Sequence, residues 1–161
     1  MNEKLKILKK VIPQAVLKAM TPEAKLAVSQ MLIVDGIVPL HHFPFRIGRE
    51  LRVKIIDGRV ERRERVKAEN DLPTNDLYLI DDGGQFNVSR EHLQIEKDGD
   101  TFYLYDRGSE NGTLVEGRQV GGGGEPTVEL KDGDRIVIGT KQSPYVFEFI
   151  TLDDFEIGPS K

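Results

Sequence analysis

Arg49, Ser89, His92 and Asn111 are the residues of this sequence whose types and settings could do chemistry. They fall in short clusters, Gly48-Arg49, Ser89-Arg90-Glu91-His92 and Asn111-Gly112-Thr113, each at the junction of an apolar run and a polar stretch. An arginine is a planar, permanently charged fork that takes two oxygens of an anion at once. A serine hydroxyl donates one hydrogen bond, and an asparagine amide donates and accepts together. Ser89 and His92 also raise a catalytic reading, with serine as nucleophile, histidine as base and Asp82 or Asp106 as orienting acid. Ser89 lacks the Gly-x-Ser-x-Gly elbow that presents a nucleophile, and a spacing of three in a turn gives no reason for hydroxyl and imidazole to face each other. A binding protein is expected, not an enzyme.

Such clusters need rigid elements to hold them. From Met31 onward the sequence runs in short apolar or alternating segments separated by turn signals: Asp35-Gly36, Asp57-Gly58, Asp82-Gly83-Gly84, Asp98-Gly99-Asp100, Asn111-Gly112 and Asp132-Gly133. Many short strands punctuated in this way predict an all-β sandwich. Phe102-Tyr103-Leu104-Tyr105, Arg135-Ile136-Val137-Ile138 and Tyr145 to Ile150 supply sheets and core. Before that region, Leu5, Leu8, Ile12, Val16 and Met20 recur at intervals of three and four and predict a helical stripe, kinked where Pro13 removes a donor. Thr21-Pro22-Glu23 reads as a fresh helix start, a hydroxyl cap followed by proline at the first helical position. The expected organisation is a basic helical extension over 1–30, a β-sandwich over 31–152 and a tail over 153–161. Arg59 to Asn70, dense in Arg, Lys and Glu, is expected to be a solvated loop or protruding hairpin, and Gly121 to Gly124 a mobile hairpin tip.

Taken in order, Gly48-Arg49, Ser89-x-x-His92 and Asn111-Gly112 resemble the signature of the forkhead-associated (FHA) domain. The flanks match as well: 75–82 resembles the family's strand before Ser-x-x-His, and 130–136 its late hairpin. The resemblance covers about Met31 to Ile150. It implies an FHA-type sandwich of two sheets that binds phosphothreonine, a group with close to two negative charges and acceptor oxygens on every side. It also implies roles: Arg49 and Ser89 hold the phosphate, Arg90 adds a second basic contact, and Asn111 grips the peptide backbone. Asn87 occupies a position that in some relatives selects the residue three places after the phosphothreonine, and its neutral amide implies no strong acidic preference. Gly48, His92, Gly112 and Thr113 shape the loops, the histidine through internal hydrogen bonds and the glycines by supplying turns.

Two departures from the family pattern stand out. The stretch between Arg49 and Ser89 is longer than compact relatives have, so 51–74 reads as an insertion. Glu110 stands where many relatives place Ser or Thr; a carboxylate donates nothing to phosphate and repels it if it faces the pocket.

Composition bounds the rest. The 161 residues suffice for one domain with some additional structure, and 38% apolar and 31% charged residues argue against wholesale disorder. No cysteine is present, which rules out disulfides and thiolate metal sites; no cofactor or metal is expected. A net charge of −4 disfavours nucleic-acid binding, and no apolar run spans a bilayer, so a cytoplasmic protein without membrane contact is expected. The expected partners are phosphothreonine-containing proteins, substrates of a Ser/Thr kinase. The charge is uneven, since residues 1–28 carry Lys4, Lys6, Lys9, Lys10, Lys18 and Lys25 against Glu3 and Glu23. That asymmetry supports an alternative: a phosphate-independent interaction scaffold whose basic helical segment docks a partner.

Overall fold

A computed structural model describes residues 2–28, 34–50, 53–56, 59–62, 74–81 and 86–153. In chain order the elements are α1 (Glu3–Val11), β1 (Ala15–Ala19), α2 (Pro22–Ala27), β2 (Ile37–Leu40), β3 (Phe45–Arg49), β4 (Val53–Ile56), β5 (Arg59–Arg62), β6 (Leu77–Leu79) and β7 (Leu93–Asp98). They continue with β8 (Thr101–Asp106), β9 (Thr113–Val115), β10 (Arg118–Val120), β11 (Thr127–Leu130), β12 (Arg135–Ile138) and β13 (Val146–Thr151). Two sheets face each other, one of six strands in the order β10-β9-β12-β13-β1-β2 and one of five in the order β11-β8-β7-β3-β6. The all-β sandwich expected from the turn-punctuated runs is therefore the fold observed.

Alternation along the strands builds the core. In β7 Leu93 and Ile95 are buried while Gln94 and Glu96 are not, and in β8 Phe102 and Leu104 point inward between half-exposed neighbours. Facing residues of the six-stranded sheet, Ile136, Ile138, Phe147 and Phe149 among them, complete the layer. Phe102 and Phe149 meet edge to face across it, with ring centroids 5.2 Å apart.

The N-terminal stripe does not continue as helix. α1 ends at Val11, Ile12 is already extended, and Ala15–Ala19 is a strand with four of its five residues buried. It pairs antiparallel with β13 on one side, Leu17 opposite Phe149, and with β2 on the other, Leu17 opposite Val38. From Ile12 to Met20 the spacing is four, which one face of a helix and one face of a strand both satisfy. Two ladders of backbone hydrogen bonds and a buried Leu17 settle it in favour of strand. The second helix starts where the capping residues predict: Thr21 Oγ1 accepts from the Ala24 N–H at 3.1 Å, and Pro22 takes the first helical position.

β4 and β5 pair with each other as a separate two-stranded ribbon, which places a hairpin inside the expected insertion; 63–73 lie outside the described residues. The Gly121–Gly124 run does not project as a free hairpin tip. It folds back on the chain: the Gly121 N–H donates to Glu125 O at 2.7 Å and the Gly124 N–H to Gly121 O at 3.0 Å. A Cβ on Gly121 would lie 2.1 Å from the Asp106 carboxylate, and one on Gly122 would lie 2.8 Å from the Asn111 backbone. Gly121 and Gly122 are thus a close-packed support beneath the Asn111 loop, which needs their left-handed dihedrals and their missing side chains together.

Candidate functional site

β3 delivers Arg49 to one end of the five-stranded sheet. Its backbone N–H donates to Ser89 O at 3.0 Å, so strand and loop are tied at the residue itself. The guanidinium spends Nη1 on Val88 O at 3.0 Å and stacks on Phe86, with Cζ 4.0 Å from the ring centroid. Its Nε is buried without a hydrogen-bond partner among the described residues.

The loop that meets Arg49 is held from below by Asp81, a buried carboxylate just past the end of β6. Its Oδ2 accepts from the N–H groups of Asn87 at 2.7 Å and Val88 at 2.9 Å, and its Oδ1 accepts from the Tyr145 hydroxyl at 3.0 Å. From the other side the Asn75 amide donates to Arg90 O at 2.8 Å. Arg107 donates to the Asn75 side-chain oxygen, to Thr74 O at 2.9 Å and to Glu91 at 3.1 Å. Asn75 and Asp81 lie in the 75–82 segment that resembles the family's strand and Arg107 in no motif, and nothing local in the sequence gives any of the three this supporting role. Only the fold shows that 86–92 hangs on them.

Ser89 and His92 are coupled, but not as nucleophile and base. The Ser89 N–H donates to His92 Nδ1 at 2.9 Å, so the other ring nitrogen, Nε2, carries the proton and donates to Gly112 O at 2.8 Å. Both imidazole nitrogens are thereby occupied, one by the Ser89 loop and the other by the Gly112 carbonyl. The Ser89 hydroxyl oxygen instead accepts from the Glu110 N–H at 3.0 Å, which leaves its hydrogen to be donated elsewhere. Glu110 itself is exposed.

The Asn111 loop is built on Asp106, whose Oδ2 accepts from the Gly108 and Ser109 N–H groups at 2.9 and 3.1 Å and whose Oδ1 takes the Ser109 hydroxyl. Ser109 Oγ in turn accepts from the Gly112 N–H at 3.0 Å. Asn111 donates its side-chain amide to Phe86 O at 3.0 Å, and Gln119 donates to the Asn111 carbonyl at 3.2 Å. Thr113 opens β9 fully buried, with its hydroxyl unpaired among the described residues. Gly112 has φ +76°, as a turn-forming glycine should, whereas Gly48 lies in a strand, not in a turn. What Gly48 provides is closeness: an added Cβ would come within 1.9 Å of Arg90 O.

The fold therefore brings Arg49, Asn87, Ser89, Arg90 and Asn111 to one group of loops, with Phe86 between Arg49 and Asn111. Arg49 and Arg90 also line a recess of about 270 Å³ together with Glu50, Thr74, Asn75, Tyr78 and Glu91.

Burial pushes the His92 imidazole below its ordinary value of 6.5, against an opposing pull from the Gly112 carbonyl and from the Asp106 and Asp81 carboxylates. A depressed pKa favours the neutral ring in the folded state. Its stabilising contribution is complete above 6.5 and is lost as pH falls through the lower folded value. Thermal melts should therefore show a falling midpoint on acidification below the ordinary imidazole range, and an NMR titration of His92 at or above 6.5 would contradict the account. Asp76 does not confound that window. Burial works against its charge, yet hydrogen bonds from Arg46 and His42 outweigh this and hold it below 3.8, so its contribution fades only at more acidic pH.

A two-sheet β-sandwich presenting an arginine, a serine and an asparagine on adjoining loops defines a class of small recognition domain, and similarity to known proteins points to the same class. The FHA domain family model matches residues 45–139, and the chain belongs to that family. An FHA domain-containing protein of Arabidopsis thaliana is 37% identical over 82 residues, which is 51% of this chain and 19% of that protein. The match thus spans about a fifth of the curated relative's length. Among solved structures, the FHA domain of a Chlamydia trachomatis protein superposes with a TM-score of 0.52 at 18% identity, covering 86% of this chain and 97% of that one. Mycobacterium tuberculosis EmbR, solved in complex with a low-affinity phosphopeptide, gives 0.52 at 22% identity, covering 94% of this chain and 30% of that one. These structural likenesses establish the fold. Among the described residues no helix is long and apolar enough to cross a membrane.

Proposed function

We propose that this domain is a phosphothreonine-dependent protein-binding module, an adaptor that recognises partners after a Ser/Thr kinase has modified them and that binds neither nucleic acid nor membrane. The observation that carries the reading is the tie between Arg49 and Ser89, whose backbones are hydrogen-bonded at 3.0 Å: one residue bears a cation fixed by Val88 O and Phe86, the other a hydroxyl whose oxygen is already satisfied by the Glu110 N–H. Such a hydroxyl is a donor waiting for an acceptor. Asn111 has a side-chain carbonyl oxygen with no partner among the described residues, suited to a peptide N–H. Arg90 is exposed beside Arg49 and adds a second positive group, and Asn87 flanks the same loop. Membership of the FHA family and the phosphopeptide bound by EmbR support the reading from outside the chain.

Roughly three charge-assisted hydrogen bonds at about 1.5–3 kcal/mol each, reduced by the ordering of a flexible peptide, give an expected Kd in the micromolar range. Arg49→Ala should weaken binding of phosphothreonine peptides by about 100-fold, since the loss of one paired charge is worth on the order of 2–5 kcal/mol. The test is titration of a degenerate phosphothreonine peptide library, with unmodified threonine and phosphoserine versions alongside. Equal affinity for the unmodified peptides, or an unaffected Arg49→Ala, would exclude the proposal.

A second reading has one observation behind it. No residue of α1 is buried, and Ile7, Leu8 and Val11 are exposed opposite a lysine-rich face, a form that suits docking into a partner's groove without phosphate. Phosphate-independent binding that disappears when 1–11 are removed would favour it.

A further inference from the structure

Two of the residues assigned to ligand in the proposed function, Arg49 and Asn111, converge on one residue that neither the motif nor the family match singles out. Phe86 offers its ring to the Arg49 guanidinium, 4.0 Å from its centroid, and its carbonyl oxygen to the Asn111 amide at 3.0 Å. It is also 55% exposed, whereas the other described phenylalanines, Phe43, Phe45, Phe102, Phe147 and Phe149, are buried in the core or packed against it. The residue is not loosely placed. Asn87 and Val88, next in sequence, have their N–H groups locked by the buried Asp81 carboxylate, which fixes the loop from which the ring projects.

If phosphate is held at Arg49 and the peptide backbone at Asn111, the peptide between those anchors passes over Phe86. We propose that the exposed ring of Phe86 is the specificity platform of this groove and selects peptides with an apolar side chain flanking the phosphothreonine.

The argument is one of surface matching. Stacking on the guanidinium covers only part of the ring, and the remainder is apolar surface beside a strongly polar site. Covering it with an aliphatic or aromatic side chain removes that surface from water, whereas a charged or small side chain leaves it wet. Glu50 and Glu91, which line the recess beside Arg49 and Arg90, and Glu110, whose N–H meets the Ser89 hydroxyl, further disfavour an acidic flanking residue. Phe86 has a second effect through Arg49, because the stacked ring holds the guanidinium plane in one orientation.

These effects separate experimentally. The inference rests on phosphothreonine recognition, so the library is first compared with its unphosphorylated counterpart on the wild-type chain. Loss of phosphate dependence there overturns both the function and the platform. With phosphate dependence present, the phosphothreonine library randomised at flanking positions is profiled on wild type, Phe86→Ala and Phe86→Trp, each checked by thermal melt. Wild type should enrich Ile, Leu, Val or Phe at one flanking position. Phe86→Ala should bind apolar-flanked peptides about tenfold more weakly while alanine-flanked peptides change much less, and Phe86→Trp should retain the preference. A uniform loss across all peptides would make Phe86 a support for Arg49 alone and overturn the platform. So would a wild-type profile with no apolar enrichment, or a preference that survives in Phe86→Ala.

Discussion

Gly48→Ala should lower the melting midpoint by roughly 10 °C and abolish phosphopeptide binding in whatever folded protein remains. The added methyl would sit 1.9 Å from the Arg90 carbonyl oxygen, 2.8 Å from its carbonyl carbon and 2.5 Å from the Asn75 amide nitrogen. A flexible side chain could yield, but here two of the three obstacles are backbone. That carbonyl is also the acceptor of the Asn75 amide, so moving it strands a buried donor as well as opening the loop. Overpacking costs about 1–3 kcal/mol and an unsatisfied buried donor about 1–3 kcal/mol more, a large share of the ~5–15 kcal/mol that stabilises an ordinary domain. Binding suffers because Arg90 lies between Ser89 and the His92 brace, and a shift there moves the hydroxyl away from Arg49. Differential scanning calorimetry with peptide titration checks both halves. A variant melting within a degree or two of wild type would show that β3 and the Ser89 loop do not approach as closely as described.

The same glycine shows where sequence reasoning stopped. A Gly-Arg pair after a strand-like run was legible, and so was the expectation that the glycine shapes the site. Its reason was not: Gly48 is an in-line strand residue pairing with Tyr78, and the constraint is a carbonyl 42 residues further along the chain. Asp81 is a parallel case. Nothing local distinguishes it from its neighbour Asp82, and only burial next to Val88 and Tyr145 makes it the anchor of the loop. Phe86 escaped notice because an isolated phenylalanine in a strand-rich sequence reads as core, and it is the Arg49 stack that turns it outward. By contrast the strands themselves and the Thr21 cap were accessible, because alternation and capping chemistry are local signals. The Gly121–Gly124 run was misjudged for the converse reason. Glycine freedom suggests motion when seen alone, but the same lack of side chains lets the segment lie against Asp106 and Asn111.

Removing residues 1–20 should destroy the fold, whereas removing 1–11 should leave it nearly as stable as the intact chain. The shorter deletion takes away α1, a nine-residue helix with no buried residue, of a length that is marginal on its own in water. It spares Gln14, whose carbonyl accepts from the Leu152 N–H at 2.9 Å and whose side chain receives Lys97 Nζ. The longer deletion removes β1 from the interior of the six-stranded sheet. β2 then loses the only strand it pairs with among the described residues, β13 keeps only β12 as a neighbour, and Phe149, Val38 and Leu40 lose the Ala15, Leu17 and Ala19 side of their packing. Burial of Val16 and Leu17 alone is worth about 1.5–3 kcal/mol each, before the cavity and the two lost ladders are counted. The expected results are a cooperative melt within a few degrees of wild type for the 1–11 deletion and aggregated protein without a cooperative transition for the 1–20 deletion. Cooperative melting of both would mean that residues 45–139, the span matched by the family model, fold without β1. The expected contrast instead makes Ala15–Ala19 part of the domain itself, so the six-stranded sheet that carries the Asn111 loop through β9 depends on a segment far outside the recognisable motif.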